Sequence, residues 1–164
     1  LIADRPRSVV LVQSKKSVSL IRDALVAEGE QVWSFTGDVT REKREAVLRE
    51  AVEAKKGVVV CTGPSIRQSI NSATGIGHMI LVELPWTIEE ILQYEGRIDR
   101  RGGAAQIHFD YIVISDSIEE GLIERLFSRL SSRLRVIGTD RESLHMQRTF
   151  QQRSTNALLN KLMR

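Results

Sequence analysis

Two arginines, Arg97 and Arg100, stand three residues apart just after Gly96, and Gln93 lies one helical turn before the first of them. Guanidinium groups are planar and permanently charged, so two that project the same way from a helical turn can bind the oxygens of a polyphosphate. An arginine offered across a cleft also stabilises the charge that spreads over a transferring γ-phosphoryl group. An isolated pair of this kind can equally be an exposed basic turn. The surrounding sequence is therefore needed to distinguish a phosphate-binding pair from such a turn.

The elements that would position these arginines alternate between strands and helices. Short apolar runs predict five strands, at residues 8–12, 32–35, 57–61, 79–82 and 107–114. Between them, apolar residues recur at three- and four-residue spacing, which predicts amphipathic helices. This alternation predicts an α/β fold with a parallel sheet, in which ligands bind outside the carboxyl ends of the strands.

Several helix boundaries are marked by residue types that satisfy helix ends. Gly29 stands where the first helix needs a left-handed residue. Thr87 and Ser117 each precede a glutamate by three residues, the spacing of a capping box. From Ile118 to Leu134, apolar residues recur every four positions, which predicts a long helix packed on the sheet or on a partner domain.

The composition suits one aliphatic domain, because 41% of the 164 residues are hydrophobic and only 5% are aromatic. Cys61 is the single cysteine and the three histidines lie far apart. We therefore expect no disulfide, no metal site and a reducing cytoplasmic or nuclear compartment. No run approaches the roughly 20 apolar residues of a membrane span. Trp33 is expected in the core, and no Gly-x-Ser-x-Gly segment indicates a Ser-His-Asp hydrolase.

Basic residues are concentrated at the end of the chain, although the net charge is only +3. From Arg125 onward there are nine lysines and arginines against Asp140 and Glu142. This segment either binds a polyanion or is a solvated face. The pattern divides the chain into a lobe at residues 1–116, a packing helix at residues 117–137 and a basic extension at residues 138–164.

The segment from Gln93 to Arg100 resembles motif VI of superfamily 2 helicases. Glu83 and Trp86, followed by Gln93 seven residues after the tryptophan, resemble the spacing of the Swi/Snf-type translocases, with the annealing-helicase branch most similar. Other family motifs are resembled, in the family's order, by residues 10–14, residues 35–38 with Arg44, and residues 61–62 with 69–73. The resemblance covers about residues 8–134 and implies a RecA-like parallel sheet of about five to six strands flanked by helices, with a C-terminal helical extension.

The resemblance also implies roles for individual residues. Arg97 and Arg100 would face ATP with Mg²⁺ held by a partner lobe, Arg100 being the better arginine-finger candidate, and Gln93 would link nucleotide to nucleic acid. Gly96 and Asn71 would line the nucleotide side of the cleft. DNA, with double-stranded DNA favoured, would contact a further set of residues: Ser14, Lys15, Gly37, Thr62, Ser69 and Trp86.

Two features needed for hydrolysis are missing from the sequence. There is no Gly-x-x-x-x-Gly-Lys-Ser/Thr loop to hold phosphates, and no Asp-Glu pair ends an apolar strand. We therefore expect the chain to be inactive as an ATPase without an N-terminal RecA-like lobe in the same parent chain. The altered segment at residues 63–69, where the family has a Gly-rich turn, leaves an alternative open: a catalytically silent scaffold or nucleic-acid-binding module.

Overall fold

The computed structural model describes residues 5–68, 75–98, 107–114 and 117–137 of the chain. Five strands alternate with five helices in this part of the chain. The strands are β1 (Arg7–Val12), β2 (Val32–Phe35), β3 (Gly57–Thr62), β4 (His78–Leu81) and β5 (His108–Tyr111). The helices are α1 (Lys15–Ala27), α2 (Arg41–Glu53), α3 (Gly63–Gln68), α4 (Ile88–Ile98) and α5 (Ile118–Ile137). Four predicted features, Ser69, Asn71, Arg100 and the extension at residues 138–164, lie outside the described residues.

The strands form one parallel sheet in the order β2-β3-β1-β4-β5, which confirms the predicted α/β fold. β1 lies at the centre and pairs with β3 along its whole length, from Arg7 opposite Gly57 to Val12 opposite Thr62. Parallel strands buried on both faces need continuous apolar sequence, and β1, β3 and β4 have it. The carboxyl ends of β3, β1 and β4 therefore meet at one edge.

Helices cover both faces of the sheet, because successive side chains of a strand point to opposite sides. On one side, Val10 and Val12 pack with Val18 of α1. On the other, Val9 and Leu11 join the larger core, to which α2, α3, α4 and α5 contribute. The residues that these four helices bury there include Leu48, Ala51, Ile66, Ile91, Tyr94, Ile98, Ile123 and Leu126. Trp33 packs against this core, as predicted.

The predicted helix ends at Gly29 and Thr87 are confirmed. Gly29 has a φ of 81° and donates its N–H to the carbonyl oxygen of Val26 at 3.0 Å, which satisfies a free carbonyl at the end of α1. The hydroxyl of Thr87 accepts the N–H of Glu90 at 3.3 Å, as a capping residue does. The hydroxyl of Ser117 accepts the N–H of Glu119 at 3.2 Å, one residue earlier than the predicted spacing implies.

The structure adds to or departs from the predicted elements in several places. Residues 63–68, where the family has a Gly-rich turn, form the short helix α3. The strand predicted at residues 107–114 is shorter, at His108–Tyr111. In α5, the predicted stripe is confirmed in part: Leu126 is buried and Leu122 packs against the core, whereas Ile118 is 76% exposed. A helix has 3.6 residues per turn, so each four-residue step rotates the stripe by roughly 40° around the axis. Ile118, at the start of the helix, therefore lies off the face on which Leu122 and Leu126 pack.

Candidate functional site

The carboxylate of Glu83 lies at the amino end of α1, at the shared edge of β1 and β4. Its Oε2 atom accepts the backbone N–H groups of Gln13 at 2.5 Å and Ser14 at 3.1 Å, and its Oε1 atom accepts the hydroxyl of Ser17. The first N–H groups of a helix have no partner within the helix and attract anions. In this structure an internal carboxylate fills that position, beside the predicted nucleic-acid residue Ser14.

A second carboxylate holds the predicted phosphate-binding Lys15. The Nζ atom of Lys15 lies 2.5 Å from Oδ2 of Asp38 and 2.6 Å from Oδ1. The hydrogen bond and the charge of Lys15 hold the pKa of Asp38 below its usual value. Both side chains are exposed, so solvent screens the pair and it contributes little to stability. Gly37 precedes Asp38, so the structure places two predicted nucleic-acid residues, Lys15 and Gly37, side by side.

Helix α4 carries the described part of the arginine segment. Its apolar face is buried in the core through Ile91, Tyr94 and Ile98, which leaves Gln93 and Gly96 exposed and Arg97 half-buried. Gln93 and Arg97 are four residues apart and therefore lie on one face of the helix. No hydrogen bond or ion pair joins Arg97 to another residue in the described ranges. Its guanidinium is therefore available to an anion.

Helix α3 lies beside Gln93 and was missed by the sequence analysis. The Nη1 atom of Arg67 donates to Oε1 of Gln93 at 3.4 Å. At the start of α3, Gly63 is packed so closely that a Cβ atom there would lie 2.5 Å from the hydroxyl oxygen of Tyr94. A glycine at a strand-to-helix junction was the available signal for such an approach.

Thr62, predicted to face the cleft between lobes, is only 6% exposed and its hydroxyl is already bonded. Its Oγ1 atom donates to Oγ of Ser65 at 2.9 Å, and Ser65 Oγ donates back to the carbonyl oxygen of Thr62 at 2.7 Å. These bonds fix the junction between β3 and α3. Contact with a ligand through the Thr62 side chain would therefore require this turn to open.

Trp86 projects from the loop between β4 and α4 and is 73% exposed. A solvated indole of this kind offers a flat surface on which a nucleobase can stack. At the other end of α4, the hydroxyl of Tyr111 in β5 donates to Oε1 of Glu95. Burial and the neighbouring Glu95 carboxylate raise the pKa of Tyr111, so the hydroxyl stays protonated as the donor that ties α4 to β5.

A Ser-His-Asp chain crosses the sheet at Ser8, His78 and Asp110. Ser8 Oγ lies 2.8 Å from Nδ1 of His78, and Nε2 of His78 lies 2.8 Å from Oδ2 of Asp110. Ser8 and His78 are each 1% exposed, so no substrate reaches the hydroxyl. These hydrogen bonds satisfy polar groups inside the sheet, and the three side chains do not form a hydrolytic triad.

Among the described residues, no group of three or more His, Cys, Asp and Glu side chains is arranged to bind a metal ion. Within the same ranges, no helix combines the length and the apolar character needed to cross a bilayer.

Comparison with curated proteins finds helicase and DNA-repair relatives. The chain is 25% identical over 118 residues to DNA repair protein RAD5 of Yarrowia lipolytica, covering 72% of this chain and 11% of that protein. It is 28% identical over 118 residues to the ATP-dependent RNA helicase RhlB of Vibrio vulnificus, covering 70% of this chain and 27% of the relative. The chain thus spans a minor part of the length of these relatives.

Two solved structures share the fold. The C-terminal part of the Fun30 ATPase domain superposes with a TM-score of 0.67 at 13% identity, covering 76% of this chain and 40% of that one. The C-terminal domain of the DEAD-box protein Dbp5 superposes with a TM-score of 0.58 at 18% identity, covering 82% and 71%. The family described as "Helicase conserved C-terminal domain" matches residues 1–102. The chain therefore belongs to the helicase conserved C-terminal domain family, and its fold is that of the second RecA-like lobe of a superfamily 2 helicase.

Proposed function

We propose that the chain is the second motor lobe of an ATP-dependent helicase or translocase, in which it completes an ATP site held mainly by an N-terminal RecA-like lobe. The observation that carries the proposal is the position of Gln93 and Arg97 on one face of α4, where Gln93 is exposed and Arg97 is half-buried, with the Arg97 guanidinium unpaired within the described ranges. A permanently charged guanidinium without an internal partner fits contact with a triphosphate better than it fits an internal structural role.

ATP and Mg²⁺ would be divided between the two lobes. Arg97 and Arg100, with Gly96 and Asn71 beside them, would meet the phosphates from this side, and the partner lobe would hold the metal ion and most of the nucleotide. Bound Mg²⁺ supplies charge neutralisation of the transferring phosphoryl group. This chain's residues would add positioning and further positive charge without holding the metal.

Nucleic acid would bind along the carboxyl edge of the sheet, at Ser14, Lys15, Gly37, Ser69 and Trp86. Thr62 would join them if its hydrogen-bonded turn with Ser65 opens. Phosphate contacts of this kind carry no base preference and weaken as salt rises. One relative is named as a DNA repair protein and another as an RNA helicase, so these names do not decide between DNA and RNA. Double-stranded DNA is therefore part of our proposal. A cytoplasmic or nuclear location also belongs to the proposal.

The experiment is to measure ATP turnover by the full-length protein alone and with equal nucleotide concentrations of double-stranded DNA, single-stranded DNA and RNA. We expect double-stranded DNA to give the largest stimulation. A larger response to RNA would overturn the DNA assignment but keep the motor. An ATP turnover rate that none of the three polymers changes would favour the second candidate, a catalytically silent scaffold lobe. The observation behind this candidate is that the carboxylates of Glu83 and Asp38 lie at the predicted phosphate positions.

Asp38→Asn is expected to strengthen nucleic-acid binding, because it frees Lys15 from its carboxylate partner. From the usual value of an exposed ion pair, the gain in affinity is roughly two- to fivefold. Lys15→Ala should have the opposite effect and lower the slope of log affinity against log salt by about one. Fluorescence anisotropy with a labelled duplex at several salt concentrations measures both effects.

The matched control for this pair is Asp23→Asn. It makes the same change in net charge on an exposed aspartate paired with Arg22 in the same helix. Equal gains in duplex affinity from Asp38→Asn and Asp23→Asn would mean that only the net charge of the protein matters. Lys15 would then not be a nucleic-acid-binding residue.

A further inference from the structure

Arg44 of α2 is an unusual residue for the core, because it is only 5% exposed and makes no ion pair among the described residues. Its Nη1 atom donates to the carbonyl oxygen of Ser65 at 3.0 Å and to Oε1 of Gln68 at 3.2 Å. Its buried Nε atom has no hydrogen-bond partner in the part of the chain that the structure describes. A buried guanidinium satisfied only in part is costly, and apolar replacements of buried charges are often neutral or stabilising. Fold stability alone therefore gives no reason for an arginine here.

The contacts of Arg44 explain how so short a helix as α3 is held. A helix of six residues is not stable by itself, because helix nucleation costs free energy and so short a helix forms few hydrogen bonds to offset that cost. Arg44 contacts α3 at two points, the carbonyl oxygen of Ser65 and the side chain of Gln68. A cation at the carboxyl end of a helix also opposes the negative end of its dipole. Arg44 brings such a charge from a neighbouring helix, in addition to Arg67 in the last turn of α3.

At its other contacts, α3 touches the residues of the proposed ATP site. Gly63 packs against the Tyr94 hydroxyl, and Arg67 donates to Gln93. Gln93 and Arg97 share one face of α4. The position of α3 therefore sets the surroundings of Gln93, and Arg44 bonds to α3 at Ser65 and Gln68.

We infer that Arg44 is a positioning residue that holds α3 against α4 through its hydrogen bonds to Ser65 and Gln68, and so places Gln93 for the coupling of nucleic-acid binding to ATP turnover. The inference rests on the proposed function for its second half. The first half, that Arg44 holds α3, is a statement about the fold and has its own measurement.

The first arm is hydrogen exchange in the full-length protein, wild type against Arg44→Met, Arg44→Lys and the control Arg41→Met. Arg41 lies in the same helix but is exposed and pairs with Glu45, four residues on. From the usual strength of charge-assisted hydrogen bonds, Arg44→Met should speed exchange in residues 63–68 by roughly ten- to a hundredfold. Arg44→Lys should be intermediate, since one ammonium can replace one of the two bonds, and Arg41→Met should leave α3 unchanged.

The second arm is steady-state ATP turnover with and without nucleic acid, with ATP affinity measured separately. A positioning role predicts that Arg44→Met lowers the stimulated kcat by roughly tenfold while ATP affinity stays within about twofold of wild type. Partial recovery in Arg44→Lys is expected.

The outcomes are separable. Unchanged exchange in α3, or faster exchange spread evenly over the sheet and α1, would overturn the role of Arg44 in holding α3. Fast exchange confined to α3 with normal stimulation would overturn the coupling half. If the wild-type protein itself shows no turnover, the proposed function fails together with the coupling half, and the exchange arm still decides whether Arg44 holds α3.

Discussion

Replacing Arg100 by alanine in the full-length protein is expected to abolish nucleic-acid-stimulated ATP turnover while ATP still binds. An arginine that stabilises charge on the transferring phosphoryl group contributes roughly 10³- to 10⁵-fold to the rate, and in the proposed two-lobe site most other contacts with the triphosphate would come from the other lobe. Arg97→Ala should act in the same direction. Turnover by a coupled assay and affinity for a fluorescent ATP analogue measure the two quantities separately.

The control for both variants is Arg22→Ala, which removes an exposed guanidinium from α1, on the opposite face of the sheet from α4. It should leave turnover and affinity near wild type. Normal ATP turnover in Arg100→Ala would show that Arg100 is not the arginine finger. Loss of ATP affinity with unchanged kcat would make it a ground-state binding residue instead.

The second large effect concerns stability and the start of β3. Gly57 has a φ of 153°, and a Cβ atom there would collide with the ring of Trp33 and lie 2.9 Å from the carbonyl oxygen of Gln31. The same carbonyl accepts the N–H of Val58 at 2.8 Å, so it cannot move without loosening the pairing of β2 with β3. From the usual cost of overpacking together with backbone strain, Gly57→Ala should lower the free energy of unfolding by roughly 2–5 kcal/mol.

Urea denaturation of the chain measures this effect, and Gly37→Ala is the matched control. Nothing lies within 4 Å of a Cβ atom built on Gly37, and its φ lies outside the left-handed region. That variant should change stability by no more than about 0.5 kcal/mol. Similar losses in the two variants would show that the Trp33 packing over Gly57 does not constrain β3 as the structure implies.

Local sequence predicted the sheet well, because a strand buried on both faces requires a short, continuous apolar run. The run at residues 57–61 needs only one more residue to become β3. Helix α3 was not predicted, because six residues are too few to show the apolar periodicity of a helix. Pro64 lies in its first turn, where helices tolerate proline well. What stabilises α3, the Arg44 guanidinium, comes from a helix about twenty residues away in sequence.

The site was predicted in part. Spacing alone put Gln93 and Arg97 on one face of α4, because the period of a helix is fixed. The contacts of Glu83 could not be predicted in the same way, since its partners Gln13 and Ser14 precede it by about seventy residues and only the order of the strands brings them together. The resemblance named Glu83 as a family residue but did not say that its carboxylate lies at the amino end of α1.

The central claim is that ATP is hydrolysed between two lobes, of which this chain supplies the second. The most direct measurement is steady-state ATP hydrolysis by the 164-residue chain alone and by the full-length protein, each with and without duplex DNA. We expect background turnover from the chain alone and DNA-stimulated turnover from the full-length protein. Turnover by the chain alone at the full-length rate would contradict it, because the site would then be complete without a partner lobe.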